Sequence, residues 1–382
     1  MLHKRAIFFD RDGTLLIPPA EYISKAEQVA FYPGVPEALT LLKGKGFRRV
    51  VITNQAGVGR GIISEMNVLP VHNHMKRLLS AQGADLDAIF YSPYFPAAGH
   101  PEHRRRPQDR KPDIGLFEQA ARHFQLSLKD SFVVGDRLED LQAARNIGAK
   151  AILVRTGKGA ETERALAALA GTVPDRVADD VTAAAVWICR QVCETPLTGK
   201  KILFVLAGQN FQEREYLVPR MTLEALGADI RVAGPGQDEC VGGQGMRIRP
   251  DVSHKFAADE PCDAVVFIGG EGARSLANCK ECQTLARRAY EAKRVVAAIC
   301  VAPSILANAH ILSGKVAVAW HTELPNLRKQ GARVARHPVA RDGNLVTAAG
   351  LRDAEAFAAE ICAAILGEKK IEMTVASRAG SS

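Results

Sequence analysis

Two carboxylates one residue apart, Asp10 and Asp12, follow the apolar run Ala6-Ile7-Phe8-Phe9. In open parallel sheets the reactive groups sit past the carboxyl ends of the strands, which is where this spacing puts both. One such carboxylate can attack phosphorus and bind a metal while the other protonates the leaving oxygen. Gly13 frees the backbone to turn, and Thr14 can hydrogen-bond locally. Alone, the pair is equally well a solvated turn, but it has company. Thr53 and Asn54 close the run VVIT with polar groups that can hold phosphate oxygens, Lys111 supplies a cation, and Asp136 and Asp140 follow the run FVVG. Metal, cation and hydroxyl around a carboxylate nucleophile are what a transferring phosphoryl group requires.

A second chemistry lies further along. Cys300 ends the apolar run RVVAAI and is followed at once by a helical pattern after Val301-Ala302-Pro303. A side chain at a strand-to-helix elbow stands above the sheet, and a helix N-terminus favours thiolate over thiol. Glu215 lies early in the helix after the first strand of this half, and Gly269-Gly270 closes AVVFI with exposed amides. All eight cysteines fall between Cys189 and Cys362, and the other seven read as structural. Cys279 and Cys282 form a single CxxC, which without a second pair signals zinc or redox chemistry only weakly and otherwise marks a helix start.

These residues need scaffolds, and the chain has room for two. It has 382 residues, 47% of them hydrophobic and 24% charged, with 32 glycines and 19 prolines, which points to two globular domains with cores of their own. Short apolar runs alternate with helical patterns: AIFFD, PEALTLLKGKG, RRVVITN, LDAIFYS, DIGLFEQAARHF, SFVVGD, LEDLQAARNIG and AILVRTG in the first half. PDRVADDVTAAAVWICRQV looks like its last short strand and closing helix. After a linker at about 193–199 a fresh pattern starts with KILFVLA and runs through ADIRVAG, DAVVFIGG, RVVAAIC, KVAVAW and LVTAAG. Strand and helix in alternation mean parallel sheets covered by helices, so the expected class is α/β, two doubly wound sheets. The boundaries expected are 1–192, a linker 193–199, 200–370 and a frayed tail 371–382.

FFDRDGTLL, VVITNQAGVGRG, RKPDIG and FVVGDRLEDLQAARNIG, in this order over about residues 5–160, resemble the four motifs of the haloacid-dehalogenase (HAD) phosphatases. More narrowly they are similar to the histidinol-phosphate and heptose-1,7-bisphosphate phosphatase branch. That resemblance implies a HAD-like Rossmannoid domain with Asp10 as nucleophile and Asp12 as general acid/base. It makes Thr53 and Lys111 phosphate holders and puts Mg²⁺ on Asp10, the Asp12 carbonyl and Asp136. Asn54 and Arg110 would contact substrate. In the other half AAICVAPSILANAHILSGKV, VFIGG and EREYLVP resemble the PfpI and Parkinsonism-associated deglycase superfamily over about 200–366. This implies a flavodoxin-like domain with Cys300 as nucleophile, Glu215 hydrogen-bonded to it, and amides near Gly270 and Val301 as an oxyanion hole.

The departures from both patterns matter. The phosphatase branch usually carries a zinc loop of form Cys-x-His then Cys-x-Cys, but YSPYFPAAGHPEHRRRPQDRKP has Ser92 and Tyr94 and no cysteine. No zinc is therefore expected. His100 and His103 fall short of a ligand set, while Arg104, Arg105, Arg106 and Arg110 beside Lys111 offer charge to an anionic substrate. Protease-like members of the second family have His directly after the cysteine, where this chain has Val301, and His321 after KVAVAW is the best replacement. The expectation is a bifunctional enzyme: a Mg²⁺-dependent phosphomonoesterase on a small sugar or polyol phosphate, fused to a cysteine-dependent domain handling aldehydes or amides. The alternative is a C-terminal module without chemistry, for redox sensing or dimerisation, and a homodimer through that half stays open. Fifty Lys+Arg against 42 Asp+Glu leave a mild +8. Without an aromatic-basic motif this does not argue for nucleic acid, and with no long apolar span or signal-peptide core the chain reads as cytoplasmic and free of membranes.

Overall fold

A computed structural model describes residues 4–19, 22–98, 101–104, 107–166, 173–236 and 238–368. They form two compact units, Met1–Val192 and Cys193–Ser382. No helix among the described residues is long and apolar enough to cross a membrane.

The first unit is built on β1 (Ala6–Phe9), β2 (Arg48–Asn54), β3 (Ala88–Ser92), β4 (Phe132–Gly135), β5 (Lys150–Val154) and β6 (Arg176–Ala178). Their order across the sheet is β3-β2-β1-β4-β5-β6, and every pairing is parallel. Runs such as AIFF are continuous rather than alternating because helices cover both faces, and all four residues of β1 are buried. Phe8 meets Phe117 of the helix Gly115–Phe124 edge to face, ring centroids 5.1 Å apart, within a core that includes Ile52, Val133 and Leu141. The strand order reverses between β1 and β4, so a crevice opens where Asp10 and Asp136 leave their strands.

The second unit contains β7 (Lys201–Val205), β8 (Gln209–Phe211), β9 (Asp229–Gly234), β10 (Cys240–Gly242), β11 (Arg247–Ile248), β12 (Val252–Ser253), β13 (Ala264–Phe267), β14 (Val295–Ile299), β15 (Val316–Ala317), β16 (Arg333–Val334), β17 (Val339–Asp342) and β18 (Leu345–Ala348). Seven of them make a sheet of order β12-β9-β7-β13-β14-β18-β17, parallel except for the β17–β18 hairpin. The mixed α/β class expected from the sequence is thus present in both units, as parallel sheets under helices.

One local reading needs correction. KVAVAW does not enter the main sheet: only Val316–Ala317 is a strand, paired with β16 in a separate two-stranded sheet. The rest of the run crosses the ends of β14 and β18, with Val318 N donating to Thr347 Oγ1 at 3.0 Å and Trp320 N to the Cys300 carbonyl at 2.7 Å. Within the segment 193–199, expected as the linker, Leu197 is fully buried and its N–H donates to the Leu226 carbonyl at 2.9 Å. The tail from 369 onward lies outside the described residues.

Candidate functional sites

In the first unit the end of β1 puts Asp10 into the crevice, buried, beside Lys111. The Lys111 ammonium donates to Asp10 Oδ1 at 2.7 Å and to the Ile52 carbonyl at 2.7 Å, and it pairs with Asp140 Oδ1 at 2.6 Å. Asn54 holds this lysine by its backbone: Lys111 N donates to Asn54 Oδ1 at 3.0 Å, and Asn54 Nδ2 to the Lys111 carbonyl at 3.1 Å. Asn54, expected at the substrate, thus bonds the backbone of Lys111 on both sides.

Asp10, Asp136 and Asp140 each bring a carboxylate oxygen within 4.8 Å of the others. Asp136 Oδ2 accepts from Lys158 N at 2.7 Å, whereas its buried Oδ1 has no hydrogen-bond partner. Gly13 permits this approach, since it holds φ +90° and a Cβ there would come within 2.3 Å of Asp136 Oδ2. Three buried carboxylates against one ammonium leave negative charge uncompensated. Burial, partly offset by Lys111, raises Asp10 to about 6. Burial together with the charges of Asp10 and Asp140 raises Asp136 to about 8. A buried, unpartnered carboxylate oxygen in an all-oxygen donor set fits a hard divalent cation. The side chain of Asp12 is not part of this set.

Asp12 instead meets a cage that sequence reasoning missed. Arg11 grips it with Nε to Oδ1 at 2.9 Å and Nη2 to Oδ2 at 2.8 Å, and Gln55 Nε2 adds a bond to Oδ2 at 3.1 Å. Arg11, itself buried, also bonds Gln55 Oε1 at 3.0 Å and His72 Nε2 at 2.9 Å. Burial opposes ionisation of Asp12, but the guanidinium outweighs it and holds the carboxyl below its ordinary value. Burial and the same guanidinium lower His72 to about 3, which keeps it neutral and accepting. The arginine between the two aspartates was the available signal, whereas nothing local marks His72, which reaches the cage from the helix Val68–Ser80. Thr53 Oγ1 stands at the edge of the cage and accepts from Gln55 Nε2 at 3.0 Å. Arg110 donates to the Tyr94 carbonyl at 3.2 Å and shares the Phe95 ring with Arg60. His100, Arg105 and Arg106 lie outside the described residues.

In the second unit Cys300 leaves β14 with φ 64°, a left-handed conformation that costs a residue with a Cβ of order 1–3 kcal/mol. Two backbone bonds hold it there, Cys300 N to the Ala348 carbonyl at 2.9 Å and Trp320 N to its own carbonyl at 2.7 Å. Glu215, in the helix Glu213–Ala225, faces it across Gly269. A Cβ on Gly269 would come within 2.3 Å of Glu215 Oε2 and 2.6 Å of Cys300 Cβ, so the pair meets only over a glycine. Burial raises Glu215 to about 7. Burial, then the Glu215 charge, pushes the Cys300 thiol up to about 12, against the pull of the Gly270 and Val301 amides that face the sulfur. The helix that follows, Pro303–Asn308, has six residues. His321 is exposed, its ring against Trp320 with centroids 4.8 Å apart, and no described hydrogen bond joins it to Cys300.

Comparison with known proteins gives each half relatives. A family model described as HAD-hydrolase-like matches residues 108–184, and one described as the DJ-1/PfpI family matches 200–364. The D-glycero-beta-D-manno-heptose-1,7-bisphosphate 7-phosphatase of Photorhabdus laumondii is 41% identical over 165 residues, 43% of this chain and 87% of that one. The corresponding 7-phosphatase of Chlorobaculum tepidum is 36% identical over 182 residues, 46% of this chain and 90% of that one. Among solved structures, a D,D-heptose 1.7-bisphosphate phosphatase from B. bronchiseptica, complexed with magnesium and phosphate, is 31% identical over 49% of this chain and 99% of its own, with a TM-score of 0.44. A ThiJ/PfpI domain protein from Brachyspira murdochii is 28% identical over 46% of this chain and all of its own, with a TM-score of 0.42.

Proposed function

Since the chain belongs over its first half to the HAD-type heptose-1,7-bisphosphate phosphatases and matches the DJ-1/PfpI family over its second, we propose that it is a bifunctional enzyme whose first unit hydrolyses a phosphomonoester of a small sugar bisphosphate. The observation that carries this is the buried group of Asp10, Asp136 and Asp140 around the single Lys111 ammonium. Asp10 attacks phosphorus, the bond to the sugar oxygen breaks, and that oxygen takes a proton from Asp12, leaving an aspartyl phosphate and a free hydroxyl. Asp12, now ionised, takes a proton from water as the water oxygen attacks the same phosphorus, which releases phosphate and restores Asp10. Lys111 and Thr53 hold phosphate oxygens throughout. Asp12 is ionised in the free site, and it takes up its proton from solvent as the arriving phosphate charge raises its proton affinity.

Asp10, Asp136 and the Asp12 carbonyl, with Asp140 alongside, would hold Mg²⁺, which when bound supplies positive charge against the phosphate oxygens and lets Asp10 stay ionised. Arg60 and Arg110 around Phe95 offer guanidinium charge to a second phosphate. A phosphatase screen of sugar mono- and bisphosphates with wild type and Asp10→Asn tests the reading. Full activity of the variant on any of them would sink it.

For the second unit the reading is addition of the Cys300 sulfur to an aldehyde. The S–C bond forms as the carbonyl π bond opens, the oxygen is received at the Gly270 and Val301 amides, and the thiol proton passes to that oxygen by way of Glu215. The high proton affinity of Cys300 favours the alternative, a module without chemistry. Methylglyoxal consumption that is lost in Cys300→Ala supports the enzyme; no consumption by wild type supports the module.

A further inference from the structure

Apart from the two sites described, the second unit gathers a third set of chemistry-bearing side chains. His254, Cys279 and Cys282 bring one donor atom each within 4.8 Å of one another, although they come from separate segments. His254 opens the short helix His254–Ala257 after β12, Cys279 caps the helix Lys280–Glu291, and Cys282 lies in its first turn. The two helices pack together. His254 and Cys282 are buried and Cys279 is half-buried, so this is not a chance meeting of solvated surface groups.

The local bonds prepare these groups for a metal. His254 Nε2 lies 3.0 Å from the Leu206 carbonyl, just past the end of β7. A carbonyl can only accept, so a neutral ring that donates from Nε2 keeps its lone pair on Nδ1; the Ala233 carbonyl also lies beside this ring. Fixing one ring nitrogen on a backbone carbonyl is how metal-binding imidazoles are oriented. Cys279 Sγ donates to Glu281 Oε2 at 3.3 Å, which brings an exposed carboxylate to the rim. Tetrahedral zinc with Zn–S of about 2.3 Å and Zn–N of about 2.0 Å sets its donors roughly 3.5–3.8 Å apart, inside the separation found here.

We propose that His254, Cys279 and Cys282 bind one Zn²⁺, with water in the fourth position beside Glu281. Two thiols lose their protons to solvent as two Zn–S bonds form, while the imidazole gives its lone pair and keeps its proton. Sulfur and imidazole donors select zinc over magnesium, so the site is chemically separate from the carboxylates of the first unit. It is also separate from the loop at 92–110, the basis on which no zinc was expected. Bound there, zinc staples the helix after β12 to the head of the helix after Cys279, at the end of β7.

The test is a titration of the reduced full-length chain with Co²⁺ in excess Mg²⁺, following the thiolate-to-cobalt charge-transfer band, which carboxylate-bound cobalt does not give. The band saturates at one equivalent and is discharged by one equivalent of Zn²⁺. Cys279→Ser and Cys282→Ser each reduce it and weaken binding at least about tenfold, the low end of what even an outer partner of a metal ligand contributes. The double variant abolishes it, and Cys300→Ser leaves it whole. Should Cys282→Ser unfold the unit, His254→Gln carries the same test, with weaker binding and the band still formed at high cobalt. No band in the reduced wild type, survival of the band in the double variant, or a Cys279–Cys282 disulfide whose reduction gives no zinc binding would each overturn the proposal.

Discussion

Removing one buried carboxylate should make the metal-free phosphatase unit more stable while it destroys magnesium binding. Asp136 shows why. Its proton affinity is raised from 3.8 to about 8, first by burial and then by Asp10 and Asp140. A carboxyl raised in the folded state binds more protons folded than unfolded, so stability is lost as pH rises through the window from about 4 to 8. Each pKa unit corresponds to about 1.4 kcal/mol, so near neutral pH the site opposes folding by on the order of 2 kcal/mol. Asp136→Asn removes that opposition and keeps an oxygen for Lys158 N. In a unit of this size about 2 kcal/mol moves a melting temperature by roughly 4–8 °C. Calorimetry of the full chain in EDTA should show the variant melting higher than wild type at pH 8, with the gap closing as the pH falls toward 4. The transition to follow is the one that Mg²⁺ raises in wild type and leaves unmoved in the variant. A variant no more stable than wild type at pH 8 without metal, or a Mg²⁺ shift equal in both, refutes the reasoning.

Asp10→Asn should abolish phosphatase turnover at every Mg²⁺ concentration, because an amide neither attacks phosphorus nor carries the charge; turnover measured across a magnesium titration checks this. Asn54→Ala should lower kcat with a smaller change in KM, since Asn54 holds the backbone of Lys111 rather than open solvent; steady-state kinetics separate the two. Glu215→Gln removes the second-largest cause of the raised Cys300 thiol, so the pH midpoint for alkylation of Cys300 should fall, and a midpoint that rises or stays put counts against the pairing. Gly269→Ala should slow that alkylation and destabilise the second unit, because its Cβ meets Glu215 and Cys300 inside van der Waals distance; alkylation rate and melting temperature report both.

Continuous apolar runs made the buried parallel strands legible, and the polar residues that end them made the phosphatase crevice legible, because the sheet brings strand ends together whatever the loops do. What escaped was side-chain partnership over distance. Nothing near His72 announces that it will accept from Arg11, and the link runs from a helix to a strand end. Strands of two or three residues, such as β8, β10, β11 and β12, are shorter than any periodicity can register. KVAVAW misled for the opposite reason: its pattern suits a strand, but the place beside β14 is taken by β18. The Gly343-Asn344 turn between β17 and β18 did carry a hairpin signal, Gly343 having φ +65°.

Both units put their chemistry at strand ends of a doubly wound sheet, yet they handle charge in opposite ways. The first accumulates three carboxylates against one ammonium, an arrangement that resists ionisation until a cation arrives, so the site's own instability becomes affinity for the metal. The second admits one carboxyl and one thiol, and with Val301 where protease-like relatives have histidine, no imidazolium stands by to hold a thiolate. Its acid–base capacity is then the single proton shared by Glu215 and Cys300. On the reading proposed above, such a pair moves its one proton onto the oxygen of a carbonyl that the sulfur has attacked, which completes addition to an aldehyde, whereas acyl transfer would further need a base to activate water. The proposed aldehyde reading therefore rests on the proton that Glu215 and Cys300 hold rather than on the reach of His321.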